Sequence, residues 1–231
     1  MSKLYVVPTP IGNLEDITLR SLRILKEVDF ILAEDTRTTG KLLKHYDISK
    51  PLVAHHIHNE HKSVARIVDQ IKASNGAAIV SDAGTPAISD PGFLLIRTCI
   101  ENDIEIICLP GPSAIIPAIV GSGFSCDSFV FEGFLPHKKG RQTKWKMLAE
   151  EKRSIVLYES PHRLIKALTE IKEYLEEERQ ICVAREISKI HETYHRGTST
   201  ELLAYFTENP PKGEIVIVIS AKEKPKKSKH D

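Results

Sequence analysis

Residues 80–92, VSDAGTPAISDPG, follow a run of apolar residues and place two Asp, two Gly and two Pro in one short loop. A change of direction needs far less. Glycine lets the backbone approach a ligand closely and proline stiffens the segment around it, so this composition predicts a small-molecule pocket. Similar punctuation recurs in PTPIGN (8–13), EDTR (34–37) and PGPS (110–113). Carboxylates stand in or beside these stretches: Glu34 and Asp35, Asp82, Asp90, and later Glu159 and Glu186. Such groups accept hydrogen bonds from ribose hydroxyls and favour a nearby cation, although each alone also reads as a helix cap or an ion-pair member. In EDTRTTG, Asp35 is placed to orient Arg37 towards an anionic substrate. In YESPHR (158–163), Ser160 reads as a cap with Pro161 in the first helical position, which leaves Tyr158, Glu159, His162 and Arg163 to line a site.

Several chemistries are not signalled. There is no G-x-G-x-x-G after a strand and no G-x-x-x-x-G-K-[ST], so neither a dinucleotide fold nor a phosphate-cradling NTPase is indicated. There is also no G-x-S-x-G and no convincing Cys–His pair. VAHHIHNEH brings His55, His56, His58 and His61 together, but nothing completes a tetrahedral set, and no metal is expected. The four cysteines, Cys99, Cys108, Cys126 and Cys182, form no C-x-x-C, and three lie in apolar runs that read as reduced core thiols of a cytoplasmic protein. MSKLYVVPTP has no signal-peptide pattern, and no apolar run spans a bilayer, so no membrane is expected. With 32 Lys+Arg against 31 Asp+Glu the net charge is +1, and any polyanion must be met by local patches. Two are present: His137, Lys138, Lys139, Arg141, Lys144 and Lys146 around Trp145, and the tail lysines 222, 224, 226, 227 and 229. Both also read as solvated surface, and the tail is expected to be disordered when alone. A flexible basic arm beside a basic helix grips phosphates locally.

The elements that must position these residues alternate. Apolar runs at 4–8, 30–34, 52–56, 77–82 and 104–110 predict strands. Between them Leu19/Leu22/Leu25, Val64/Ile67/Ile71 and Phe93–Ile100 carry helical spacing. This predicts a mainly parallel sheet covered on both faces, with the polar loops gathered at the carboxyl ends of its strands, where such sheets bind ligands. Gly121 and Gly123 predict a linker. Beyond it, strands at 128–135, 154–160, 180–186, 192–198 and 213–220, with helices at 140–151 and 161–175, predict a second α/β domain with a mixed sheet. The expected organisation is 1–117, 118–221 and a basic tail, 222–231.

LYVVPTPIGNLEDIT, AEDTR, VSDAGTPAISDPG, LPGPSA, FEGFLP, YESPHR, ARE and KGEIVIVI run in order from Leu4 to about Ile219 and together resemble the RNA-modifying branch of the tetrapyrrole methylase superfamily. Tetrapyrrole methylases proper carry a Gly-rich loop where this chain has PTPIGN, a departure that favours RNA over a corrin or porphyrin acceptor. The resemblance implies two α/β domains facing a cleft, a homodimer, and S-adenosylmethionine as methyl donor, with S-adenosylhomocysteine as product and no metal required. It implies 2'-O-methylation of a cytidine in 16S ribosomal RNA of the small subunit; a small-molecule methylase and a non-catalytic RNA-binding factor are the alternatives. Implied cofactor contacts are Pro10, Ser81, Asp82, Ala83, Gly84, Thr85, Pro86, Ile88, Asp90, Pro91, Gly92, Pro110, Gly111, Pro112 and Ser113. Phe134, Tyr158, Ala184, Gly213 and Glu214 are implied from the second domain. Glu34, Asp35 and Arg37 are expected on the substrate side, with Glu159 and Arg185 or Glu186 opposite, and a nearby carboxylate, His or Lys is expected to accept the hydroxyl proton.

Overall fold

The structure, a computed structural model, describes residues 2–56, 60–175 and 179–222, without the side chains of 60–62. His58, the His61 side chain and the tail lysines beyond Lys222 therefore lie outside the described residues. The chain divides into two compact units, residues 1–113 and 114–231.

Unit 1 alternates strand and helix: β1 (Lys3–Val6), α1 (Leu19–Glu27), β2 (Phe30–Ala33), α2 (Thr36–His45), β3 (Leu52–Ala54), α3 (Glu60–Lys72), β4 (Ala77–Val80), α4 (Phe93–Glu101) and β5 (Glu105–Cys108). Its strands pair in the order β3-β2-β4-β1-β5, all parallel. The continuous apolar runs follow from burial on both faces. Leu32, Ala77 and Ile79 pack with Ile67, Ile71 and Leu95 on one side, whereas Ile31, Ala78 and Val80 pack with Leu25 and Leu43 on the other. Each strand ends one or two residues before its predicted end, and those trailing residues form the polar loops. The core assignment of three thiols is corrected: Cys99 and Cys182 are buried, but Cys108 is exposed because β5 is an edge strand.

Unit 2 begins with α5 (Ile115–Ser122), then β6 (Phe129–Phe134), α6 (Arg141–Ala149), β7 (Ser154–Glu159), a 3₁₀ turn (Pro161–Arg163), α7 (Leu164–Tyr174), β8 (Ile181–Arg185), β9 (Thr193–Gly197), α8 (Ser199–Glu208) and β10 (Ile215–Ile219). The order is β6-β7-β10-β8-β9, with β6–β7 parallel and the other pairs antiparallel, the mixed sheet expected from the sequence. Around Trp145, Leu157, Leu168 and Ile217 a core of buried residues closes one face of this sheet. The expected linker at Gly121 is helical instead. A Cβ at Gly121 would come within 2.5 Å of the Tyr194 ring, so glycine there permits close packing of α5 on β9. Two further helices escaped the apolar-spacing argument. Helix α2 offers that pattern little beyond Leu42 and Leu43, and α8 starts from the capping box of Thr198 and Glu201. Among the described residues, no helix is long and apolar enough to cross a membrane.

Candidate active site

Parallel strands deliver their loops to one edge, and in unit 1 the exits of β1, β2 and β4 meet there. Thr9, just past β1, forms a two-way backbone bridge with Gly84, and its hydroxyl donates to the Ser81 carbonyl at 3.0 Å. Asp82, past β4, and Asp35, past β2, are cross-tied: the Asp35 amide donates to the Asp82 carboxylate at 3.1 Å, and the Asp82 amide donates to the Glu34 carboxylate at 3.3 Å. Asp35 also caps α2, accepting from the Arg37 amide at 2.8 Å and from the Arg37 guanidinium at 2.6 Å. The pairing expected of Asp35 and Arg37 is present, and the Arg37 side chain stays 87% exposed, free to meet a ligand with its remaining donors.

Three of these acidic side chains differ in proton affinity. The side-chain and backbone hydrogen bonds of Arg37 hold the Asp35 carboxyl down at about 2. Burial raises Glu34 above its ordinary value; the Asp82 amide opposes this, and the negative charges of Asp82 and Asp35 add to it. Burial also pushes Asp90 up to about 6, reinforced by Glu34 and Asp82 and opposed by a hydrogen bond from Ser81. Four carboxylates thus share a rim with one guanidinium, an arrangement that favours a cation.

The 81–92 loop is held in a costly conformation. Ala87 (φ 71°) and Ser89 (φ 63°) are non-glycine residues in the left-handed region, and such strain concentrates at ligand sites. Gly92 (φ 131°) opens α4, where a Cβ would lie 3.1 Å from the Ile79 side chain. Thr85 donates to the Pro112 carbonyl at 3.4 Å, tying this loop to the 110–113 turn beyond β5. A cavity of about 210 Å³ opens beside the rim, lined by Thr9, Pro10, Leu14, Thr39, Leu42 and Asp82 among others. Thr9, Thr39 and Leu42 were missed by the sequence argument; the available signal was the 39/43 spacing that buries one face of α2.

The site residues named in unit 2 hold other positions. Glu159 is 3% exposed and accepts from Ser160 and Arg163 at 2.8 Å each and from Arg141 at 3.4 Å. Arg141, read as surface charge, is equally buried and pairs with Glu170 at 2.6 Å, while the Trp145 indole donates to Glu170 at 2.9 Å. Burial disfavours the Arg141 charge, but Glu170 and Glu159 outweigh it and raise its pKa. Lys144 pairs with Glu132, which leaves Lys138, Lys139 and Lys146 as the exposed lysines of that patch. The Arg185 guanidinium donates to Thr193 and to the carbonyls of Lys212 and His191. Glu186 lies over Gly213, accepts from the Glu214 amide at 2.8 Å and pairs with Lys189 at 2.9 Å. Glu214 also meets Lys189. Ala184 is buried within β8, whereas Phe134 is 54% exposed with its ring centroid 5.4 Å from that of Tyr158.

Residues 3–203 match the family described as Tetrapyrrole (Corrin/Porphyrin) Methylases. The chain belongs to that family. It is 50% identical over 221 residues to ribosomal RNA small subunit methyltransferase I of Synechocystis sp., covering 95% of this chain and 79% of that protein. The protein of the same name from Thermotoga maritima is 48% identical, covering 96% and 100%, and that of Escherichia coli O157:H7 is 47% identical, covering 94% and 77%. With relatives this close across nearly its whole length, the chain is a methyltransferase. Two solved structures share the fold. A cobalt precorrin-4 methyltransferase of cobalamin biosynthesis matches at TM-score 0.70 and 17% identity, covering 94% of each chain. Uroporphyrin-III-C-methyltransferase from Thermus thermophilus matches at TM-score 0.66 and 18% identity, again covering 94% of each chain.

Proposed function

We propose that this methyltransferase transfers a methyl group from S-adenosylmethionine to a cytidine 2'-hydroxyl in the 16S RNA of the small ribosomal subunit. The observation that carries the donor assignment is the acidic, strained rim at the exits of β2 and β4, since its carboxylates, glycines and short loops suit a small cation bearing ribose and amino-acid groups. The shared name of the relatives supports the RNA acceptor.

S-adenosylmethionine supplies an electrophilic methyl group. The residues of the chain align it and remove a proton. Asp82 and Asp90 face the positive charge, and the backbone of 83–86, 88–92 and 110–113 offers amides and carbonyls to the ribose, base and amino-acid ends. In unit 2, the exposed Phe134 and its neighbour Tyr158 offer an aromatic surface and Gly213 offers backbone groups, whereas Ala184 is buried in an interior strand and Glu186 already engages the Glu214 amide and carbonyl. Holding two reactants in line is worth several kcal/mol, on the order of 7–11 at best. Glu34 is the proton acceptor we assign. Its raised pKa makes it a stronger base than Asp35, which Arg37 keeps at about 2. Arg37 then meets a neighbouring phosphate. Glu159, Arg185 and Glu186 act as positioning residues, because their hydrogen bonds fix the ends of β7 and β8. A homodimer in the cytoplasm fits the resemblance, and sedimentation of the purified protein reads the first of these.

The deciding experiment is methyl transfer from labelled S-adenosylmethionine to small subunits lacking the modification, followed by nuclease mapping of the labelled nucleotide. Label confined to a 2'-O-methylcytidine supports the proposal. Label on a tetrapyrrole acceptor alone, or on a base carbon, refutes it.

A further inference from the structure

The 210 Å³ cavity of unit 1 lies between the loop leaving β1, the first two turns of α2 and the start of the loop after β4. Its walls are fixed before any ligand arrives. The Tyr46 hydroxyl donates to the Leu14 carbonyl at 2.6 Å, which ties the first loop to the far end of α2, and Thr9 anchors that loop to Ser81. Pro10, Leu14 and Leu42 supply apolar surface, and Thr39, Lys41 and Asp82 stand among the other lining residues. Thr39 is 3% exposed, and among the described residues its hydroxyl has no hydrogen-bond partner. The carbonyl four residues back, on Asp35, receives the Thr39 amide at 3.0 Å, yet the hydroxyl does not join it. A buried hydroxyl left in this state is costly, and such a group in a cavity wall calls for a partner from outside. The volume is several times the roughly 30 Å³ that a water occupies in the liquid and falls below the roughly 300 Å³ at which drug-sized sites begin. One ring-sized group is the right scale.

We propose that this cavity receives a single pyrimidine base turned out of the RNA chain, gripped between Leu14 and Leu42 and read at its edge by Thr39 and Asp82. The inference rests on the reading of the chain as an RNA methyltransferase. Enzymes that act on one nucleotide extrude it, flank the base with apolar or aromatic side chains and hydrogen-bond its pairing edge. The Asp82 carboxylate accepts one bond from the Asp35 amide and keeps lone pairs for another donor. An exocyclic amine provides that donor in cytosine, whereas uracil presents a carbonyl oxygen there, so a carboxylate wall favours cytosine. The Thr39 hydroxyl supplies the hydrogen bond to a ring nitrogen or carbonyl. Pro10, Ser81 and Asp82 border this cavity and also belong to the proposed donor site, which puts the base beside the methyl group.

The test uses purified Leu42→Trp and Thr39→Val proteins. Labelled methyl transfer to subunits lacking the modification is measured alongside donor affinity by calorimetry. We expect Leu42→Trp, which fills the cavity, to lower transfer about 100-fold or more, and Thr39→Val, which keeps the shape, to lower it about tenfold. Donor affinity stays within about twofold in both. Wild-type transfer by Leu42→Trp overturns the base pocket, and so does a parallel loss of donor affinity in both variants, which assigns the cavity to the donor. If Leu42→Trp fails to fold, Thr39→Val decides: unchanged transfer overturns the proposal, and a tenfold loss at constant donor affinity supports it. Transfer by the wild-type protein separates these outcomes from failure of the RNA reading itself, which would remove both.

Discussion

Two clusters of charged residues, one in each unit, solve opposite problems. In unit 2, Arg141, Glu159, Arg163 and Glu170 form an enclosed set of two guanidiniums and two carboxylates in which Glu159 accepts from a backbone amide and two arginines, and Glu170 from Arg141 and an indole. In unit 1, Glu34, Asp35, Asp82 and Asp90 share a rim with Arg37, and burial together with like charge raises Glu34 and Asp90. Matched charges that satisfy one another hold a fold together. Like charges kept close leave a deficit that an incoming cation relieves. The residue types are the same, and the difference in balance separates scaffold from site.

The largest effect that tests this contrast is Glu159→Ala, which leaves the largely buried Arg163 without its carboxylate and Arg141 with Glu170 alone. Breaking one side of a buried pair costs about 3–5 kcal/mol, so urea unfolding monitored by Trp145 fluorescence should show a loss of that size, and a loss under 1 kcal/mol would place Glu159 outside the scaffold. Next comes Glu34→Gln. We expect kcat to fall about 100-fold or more with little change in thermal midpoint, and the acidic limb of the wild-type rate profile, displaced above the ordinary glutamate range, to disappear.

A smaller effect comes from the raised carboxyl of Asp90. Asp90 titrates near 6 in the folded chain against 3.8 for an ordinary aspartate, so the folded state holds the extra proton between those values. Through this group stability falls as pH rises from about 4 to about 6, and the cost is complete above that window. Asp90→Asn removes the cost. Allowing for partial solvent screening, it should stabilise the donor-free protein by about 1 kcal/mol at pH 8 and by almost nothing at pH 4. Denaturant unfolding at the two pH values reads the difference, and a destabilised variant at pH 8 would dissolve the distinction between the clusters. Smallest of all is Arg23→Ala, which breaks an exposed pair with Glu27 on α1 and should shift stability by about 0.5 kcal/mol or less.

Much of unit 1 was readable from the chain because parallel strands buried on both faces must be apolar throughout, so β2, β4 and the loops beyond them announce themselves. Asp35 and Arg37 were legible as a pair because they are two residues apart. Helix α2 was hidden because its first five residues, TRTTG, contribute only Thr39 to the core, and α8 because its start rests on hydrogen bonds from Thr198 and Glu201 rather than on apolar spacing. Arg141 misled for a plain reason: in sequence it stands among lysines, and only the fold shows that Glu170, 29 residues away, neutralises it.

The order of residues alone settled the strand runs, the glycine- and proline-rich loops and the inventory of carboxylates, since these depend on local propensity and on which side chains exist. It could not settle which carboxylates stand together or what balances them. Glu34 and Asp82 lie 48 residues apart yet share a hydrogen bond, because the pairing of β2 with β4 brings their exits side by side. Electrostatic character depends on distance and burial, and the tertiary structure sets both.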